Sequence, residues 1–598
     1  MKSRILSSDQ TLLRKNILRF APVWGLYTLA LIMGLVGSLD VNDHYYFVRN
    51  VDDLIRIMGL VNLLYAPVVA QMLFGDLFNS RMCNALHALP VKRETWFKIH
   101  LTAGLLFSFL PNLAISAVGM IALGEHWFVG LTWLVQSCLQ YVCFFGMAVA
   151  AVFCAGNRFA MLVVYGMINF LAGIVYWMVD ALYEPLLYGI WMDLEWFAYL
   201  MPVYAMIESY DIMVVDRISE VLPNGELTYT GTTVAMGEDY WMILPYALVG
   251  IVFMVLALQL YRKRKLEVAG DFLAVRKLEP FFLVVFTLCA SVGFSLFRDM
   301  FGVGSEDLEY IFLAIGLVTG YFACRMLLSR SLRVFHKKNF VQVLCIGAAL
   351  AASLLITWLD PLGFTRWVPQ TDEVASVRLQ CGSYWSEYEP HLVLTEPGDI
   401  DNIRALHRYA IEHRYSDEEV ASAELAAEMT KVQIDDAYTI EKDVNPYTYS
   451  HFCLEYTMEN GNVHTRFYRI YTGTDMGQML KSFYTRPECV LETTDIEGFL
   501  KPFSAVEVDD VFFTGRQMEE LLECILLDCA EGTMAQSWDF HIDDASAYWV
   551  RFQYKEHLID RYSYFTVDIF ESNTHTVQWL KDHGLMTDRE KYESEYYG

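Results

Sequence analysis

The residues that could carry chemistry in this 598-residue chain are few, and their spacing argues against most of it. No Gly-x-x-x-x-Gly-Lys-Ser/Thr loop occurs to cradle nucleotide phosphates; residues 473–482 (GTDMGQMLKS) have the residue types at the wrong spacing. There is no His-Glu-x-x-His, no Gly-x-Ser-x-Gly and no Gly-x-Gly-Asp, and the nearest approach to the last, Ala269-Gly270-Asp271, lies between apolar runs. His407 and His413 sit six apart on one predicted helix, which turns them onto different faces and away from a shared metal. Of twelve cysteines, Cys83 lies in a loop and six others, up to Cys345, lie in apolar runs. The remaining five (Cys381, Cys453, Cys489, Cys524 and Cys529) are odd in number and irregularly spaced, so neither a disulfide framework nor a zinc pattern is readable. The expectation is a protein that is not an enzyme and holds no cofactor or metal. What remains is a set of polar groups inside apolar runs: Asn62, Gln71, Asn112, Gln136, Gln140 and Asn169, with Asp180 and Arg325 near run ends. In hydrocarbon such groups are expected to hydrogen-bond across helices, and they lack the charge ladder of an ion-coupled carrier.

The elements that would position these groups are themselves apolar. Nine runs approach the about 20 residues needed to cross a bilayer core: 20–39, 57–74, 101–123, 131–154, 160–182, 241–261, 281–297, 308–328 and 340–359. The first is too long for a secretory signal core and is read as retained; the seventh is the shortest. Alternate loops, beginning with the amino terminus, sum to 20 basic and 6 acidic residues, whereas the intervening loops sum to 4 and 18. Because Lys and Arg resist translocation, the amino terminus is expected inside and the tail, after nine crossings, outside. In the long external loop 183–240, residues 186–207 are apolar but interrupted by Asp193, Glu195 and Pro202, which fits a re-entrant or interfacial helical hairpin better than a span. Gly316 and Gly320 form a Gly-x-x-x-Gly pair in the eighth run.

From residue 361 onward there are 19 basic and 44 acidic residues, a net charge of −25, against −2 for the first 360. Such a surface excludes nucleic-acid binding, which needs clustered cations, and it would suit cationic ligands. Periodicity makes this tail α+β: strands at 376–380, 452–458, 463–471, 547–554 and 564–570, and helices at 400–413, 514–531 and 574–583. Asn460-Gly461 between the second and third strands marks a tight hairpin. No internal repeat is visible. The expected fold is a polytopic α-helical membrane protein of about nine spans with a C-terminal soluble α+β domain.

The segment 74–100 (FGDLFNSRMCNALHALPVKRETWFKIH) is the most informative. Its first half has the pattern of a short amphipathic helix, and Pro90 breaks it before a basic start to the third run. The order Asp76…Arg81…Leu89-Pro90-Val91-Lys92-Arg93 resembles the connector between spans two and three of ABC transporter type-2 exporter permeases, where a coupling helix docks onto the ATPase. The long loop between spans five and six, and residues 261–271 (YRKRKLEVAGD), are similar to forms found in Gram-positive members of that family. The resemblance covers about the first 270 residues. It implies a six-span permease module (1–270), with three added spans (271–360) and an acidic extracytoplasmic domain (361–598). It also implies a bacterial cell-membrane location, a separate ATPase chain, and a second permease protomer as like or unlike partner. The docking residues it implies are Asp76, Arg81, His87, Pro90, Lys92 and Arg93. The reading from a different class is a membrane-anchored sensor or structural protein whose tail binds a ligand, although nine spans exceed what anchoring requires.

Overall fold

The computed structural model describes residues 2–38, 44–88, 91–190, 195–208, 212–221, 227–264, 268–300, 306–381, 391–413, 449–471, 474–484, 486, 503–508, 511–531, 533, 548–554, 564–570 and 572–585. The chain divides into two compact units. The first comprises Met1–Tyr183, Asp193–Val215 and Thr232–Leu355; the second comprises Glu184–Met192, Asp216–Gly231 and Ile356–Gly598.

The helices that begin in the first unit are α1 (Lys2–Arg19), α2 (Ala21–Ser38), α3 (His44–Phe74), α4 (Ser80–His87), α5 (Arg93–Leu123), α6 (Phe128–Cys154), α7 (Arg158–Tyr183), α8 (Glu195–Ala198), α9 (Pro202–Glu208), α10 (Ile243–Lys263), α11 (Glu279–Met300), α12 (Glu306–Ser329) and α13 (Lys337–Leu359). Among the described residues eight of them are long and apolar enough to cross a membrane, and a ninth is counted if α1 and α2, bent by 62°, form one broken span. Pro22, which has no amide hydrogen to donate, opens α2 at that bend. The short seventh run is a helix of 22 residues. The second run starts earlier than its hydropathy does, at His44, because Asp52 and Arg56 lie one turn apart and pair at 2.6 Å, which lets the helix carry both charges.

At the centre of this unit stands α6, buried on nearly every face. A helix that is apolar all round needs neighbours all round, and α3, α5, α7 and α10 supply them. The closest is α10. A side-chain carbon at Gly146 would overlap the Gly250 carbonyl, and one at Gly250 would overlap the carbonyl of Val142, so the two backbones touch only because both positions are glycine. Gly316 and Gly320 play the same part between α12 and α11, where added carbons would meet Ala290. In the loop between α7 and α10, α9 buries Val203, Ala205 and Met206 within the first unit. A two-stranded hairpin, β1 (Met213–Val221) and β2 (Leu227–Met236), follows where the sequence pattern gave no strand.

The described part of the second unit contains two modules of one design. The first runs β3 (Val374–Cys381), β4 (His391–Leu394), α14 (Pro397–Glu412), β5 (Tyr449–Met458), β6 (Val463–Tyr471) and α15 (Asp475–Tyr484). The second runs β7 (Phe503–Val508), β8 (Val511–Phe513), α16 (Arg516–Ala530), β9 (Tyr548–Tyr554), β10 (Tyr564–Ile569) and α17 (Thr574–Asp582). The sheet orders are β4-β3-β5-β6 and β8-β7-β9-β10, antiparallel throughout, so second, first, third and fourth strands are neighbours in both. This is a structural repeat that the sequence pattern does not display. Its cores need only apolar residues at alternate strand positions and on one helix face: Val377, Leu379, Leu454, Ile403 and Leu406 in one, Val506, Val508, Val550, Leu521 and Ile525 in the other. The hairpin read at Asn460-Gly461 is present, with Gly461 at φ +83° and the Met458 amide donating to Asn462 at 2.8 Å.

Replacing Gly250 by valine is expected to lower stability by about 1–3 kcal/mol by forcing α6 and α10 apart, whereas the same change at Gly25, which has open space around its Cα, should be near neutral. Thermal unfolding of the two variants in detergent, followed by far-ultraviolet circular dichroism, checks this; equal midpoints would refute it.

Candidate functional site: the connector and the helix ends beneath it

The connector begins where α3 stops. Gly75–Phe78 make one 3₁₀ turn, and the Asn79 side chain then accepts from the amides of Arg81 (3.0 Å) and Met82 (3.4 Å), capping α4. Among the described side chains, the buried face of the turn and helix holds Gly75, Leu77 and Cys83. The outward face presents Asn79, Ser80, Arg81, Met82, Asn84 and Ala85. Burial raises the Cys83 thiol above its usual value despite the nearby Arg264 and Arg93, so it sits there as a small apolar group.

Beneath lies an aromatic cluster built from the ends of four helices. Phe74 of α3 meets Trp96 at 5.4 Å and Phe97 at 5.8 Å, both from α5, and Phe153 of α6 at 5.5 Å. Phe153 and Trp96 in turn meet Tyr261 of α10 at 5.0 and 5.7 Å. Two guanidinium groups close this cluster by capping helix C-termini, where free carbonyls and the helix dipole favour a cation. Arg93 donates to the carbonyls of Tyr261 (3.4 Å) and Arg264 (3.3 Å) and lies 5.7 Å from the Tyr261 ring centre. Arg264 donates to Val152 (3.0 Å) and Phe153 (3.3 Å) at the end of α6. Outside them Arg262 pairs with Glu94 at 2.7 Å, both about half exposed. The loop after α10 is tied further to the α6–α7 turn: Gly270 donates to Gly156 at 2.6 Å, Ala274 to Cys154 at 2.8 Å, and the Asn157 side chain to Asp271 at 3.1 Å.

The six residues expected at a docking surface therefore divide. Arg81 and Lys92 are exposed, and Asp76 is half-buried in the 3₁₀ turn. Arg93 turns inward to the two carbonyls. His87 ends α4 with its side chain outside the described residues, as is all of Pro90. Four consecutive cations, 262–265, read as one basic loop in the sequence; only the fold shows that Arg264 faces in.

A second constellation lies within the apolar helices. Asn62 accepts from the Tyr27 hydroxyl at 3.0 Å and donates to the Ser137 carbonyl (3.2 Å) and Gln140 (3.4 Å). Asn112 donates to the Tyr27 hydroxyl at 3.0 Å and accepts from Trp133 at 3.1 Å, while Gln140 donates to the Ile55 carbonyl at 3.1 Å. Gln136 donates to the Tyr240 carbonyl at 2.7 Å. Four of the six amides singled out in the apolar runs thus bond across helices around α6. Gln71 reaches the Arg158 carbonyl at 3.3 Å, and Asn169 bonds within its own helix to Tyr165 at 2.9 Å. This network links α2, α3, α5 and α6, and it contains no ionised group.

In the second unit His407 is fully buried, with Nδ1 3.1 Å from the Tyr456 hydroxyl and Nε2 2.8 Å from that of Tyr468. Burial, reinforced by Arg466 and Arg408, pushes it down to about 3. His413 is exposed and bonds the Tyr409 carbonyl at 3.0 Å. In the second module the buried Asp528 accepts from the amides of His575 (3.1 Å) and Thr576 (2.8 Å) and so caps α17. Among the described residues no group of three or more His, Cys, Asp or Glu could hold a metal. Compared with family models, curated proteins and solved structures, the chain matches none.

Because His407 is neutral when folded and titrates near its ordinary value of 6.5 when unfolded, its contribution is complete above about pH 6.5. It is lost as pH falls toward 3, at up to about 1.4 kcal/mol per pH unit. A His407→Asn variant should lack that part of the acid dependence, as read by urea midpoints of the full chain between pH 7 and 4; parallel curves for variant and wild type would refute it.

Proposed function

We propose that this chain is the membrane-spanning subunit of an ATP-driven exporter of the ABC type-2 class, and that a separate ATPase chain docks on the connector that contains α4. The observation that carries this reading is the seat of α4: an outward face with Arg81 and Met82, resting on a cluster that joins the ends of α3, α5, α6 and α10. A push on such a helix reaches four spans at once through packed aromatics and two guanidinium caps, which is what coupling to ATP-driven closure of a partner requires. Two protomers would form the path, and the amide network around α6 would hold the closed arrangement without a charge.

The orientation follows from the loop charges, with the connector inside and the acidic tail outside. A second line supports it. Gly189, a few residues beyond α7, accepts a hydrogen bond at 3.2 Å from the Phe467 amide in the tail, which favours a reading with both segments on one face of the membrane. Four apolar helices, α10 to α13, lie between them in the chain, and only an even number of crossings returns a chain to the same face. That reading counts the short seventh run as a crossing. The tail's net charge of −25 would favour cationic ligands on that outer face.

Charge reversal at both exposed cations, Arg81→Glu with Lys92→Glu, should reduce co-purification of a co-expressed ABC ATPase subunit by tenfold or more, since each acts at the interface and not in the fold. Arg93→Gln should instead lower the thermal midpoint of the isolated chain by uncapping α10. Unchanged co-purification by the double variant would overturn the docking assignment.

A further inference from the structure

Two stretches of chain connect the apolar helices to the tail modules: the strap that leaves α7, and the linker that leaves α13. Both end on three consecutive residues of β6. In the linker, Asp360 accepts from the amides of Phe364 (2.8 Å) and Thr365 (2.9 Å), which folds residues 360–366 into a turn with Asp360 at φ +41° and Gly363 at φ +69°. Burial is the largest single influence on the Asp360 carboxyl and raises it, but the hydrogen bonds from Thr365 and Phe364 and the nearby Arg366 together hold it below its usual range. Arg466 donates to the Phe364 carbonyl at 3.3 Å and lies 5.3 Å from the centre of the Trp367 ring. Arg404 of α14 donates to the Pro369 carbonyl at 2.7 Å. The linker is thus bonded along its length, unlike a tether.

The next residue of β6, Phe467, donates its amide to Gly189 of the strap. The one after that, Tyr468, has its ring 5.5 Å from Tyr188, and Gly189, at φ +78°, lies so close against Tyr468 that any side chain there would overlap the ring. A positive φ and a close approach both demand glycine at this point. Behind the strand, Tyr468 is fixed by its 2.8 Å bond to His407, which in turn meets Tyr456 of β5. Arg466 itself is only 8% exposed, its charge held against an aromatic face and backbone carbonyls.

We infer that Arg466, Phe467 and Tyr468 form a mechanical junction that locks the strap following α7 to the linker following α13, so that a displacement of one is passed to the other through the first tail module. Rigid, bonded elements with discrete arrangements are the physical means by which coupling travels. The inference stands whether or not an ATPase drives the helices, because it concerns only what connects two parts of this chain.

The test is amide hydrogen exchange on the full-length protein in lipid nanodiscs. The strap is read at Leu187 and Ile190, the linker at Phe364, Thr365 and Arg366, and the second module at β7 as an internal control. Arg466→Ala removes the side-chain contacts to the linker, and Gly189→Ala wedges the strap away from the Tyr468 ring. Each is expected to speed exchange about tenfold or more at both sets of amides, the scale set by losing a hydrogen bond to a charged group, with β7 unchanged. If Arg466→Ala unfolds the module, Arg466→Lys keeps the cation and loses the fork, and it is expected to act in the same two places more weakly. A variant that speeds exchange only in the segment its own residue touches would overturn the junction.

Discussion

The contact between α6 and α10 at Gly146 and Gly250 is the constraint on which the apolar unit rests. Lipid tails offer no hydrophobic incentive for helices to associate, so their packing depends on close backbone approach and on hydrogen bonds between helices. Two glycines facing one another give the first. The amides of α6 give the second, since Gln136 and Gln140 would be costly beside lipid but find the Tyr240 and Ile55 carbonyls once neighbours surround them. Burial of α6 and satisfaction of its polar groups are one event: the helix can be in the centre only if its amides are paired, and they are paired only when it is.

That arrangement also fixes what happens at the helix ends. With α6 and α10 in contact, their last carbonyls point into one small region, and Arg264 and Arg93 fill it. The aromatic cluster beneath the connector then gives α4 a firm base, and Cys83 is the small apolar residue that lets the helix settle on it. A solvent-facing row of polar and basic side chains remains above. The same physical device, a guanidinium held by carbonyls and an aromatic ring, recurs in the tail at Arg466. In both settings it joins segments distant in sequence at a point where an acid partner is unnecessary, because backbone oxygens carry the complementary charge.

The tail achieves stability differently. Each module buries one face of a four-stranded sheet beneath helices, and each carries its own buried polar groups. In the first, His407 is kept neutral between two tyrosine hydroxyls; in the second, Asp528 is kept at the amino end of α17. The two modules share connectivity and sheet order but not these residues, which is why the duplication is evident in the strand order and hidden in the residue pattern.

The sequence by itself determined a good deal. Apolar runs of sufficient length predict the helices, including the weak seventh, because length and hydropathy are local properties. The Asn460-Gly461 hairpin is legible for the same reason: positive φ at a turn is a demand on one or two residues. All six amides in the apolar runs are expected to bond across helices, although their partners could not be named; Asn169 instead bonds within its own helix. The tertiary structure alone decided that Arg264 turns inward, that Arg93 caps a helix rather than facing out with Arg81, and that the loop after α7 bonds to a strand nearly three hundred residues later. It also decided that β1 and β2 pair and that the tail is built twice. These depend on contacts between residues far apart in the chain, and a contact of that kind leaves no periodicity at either end.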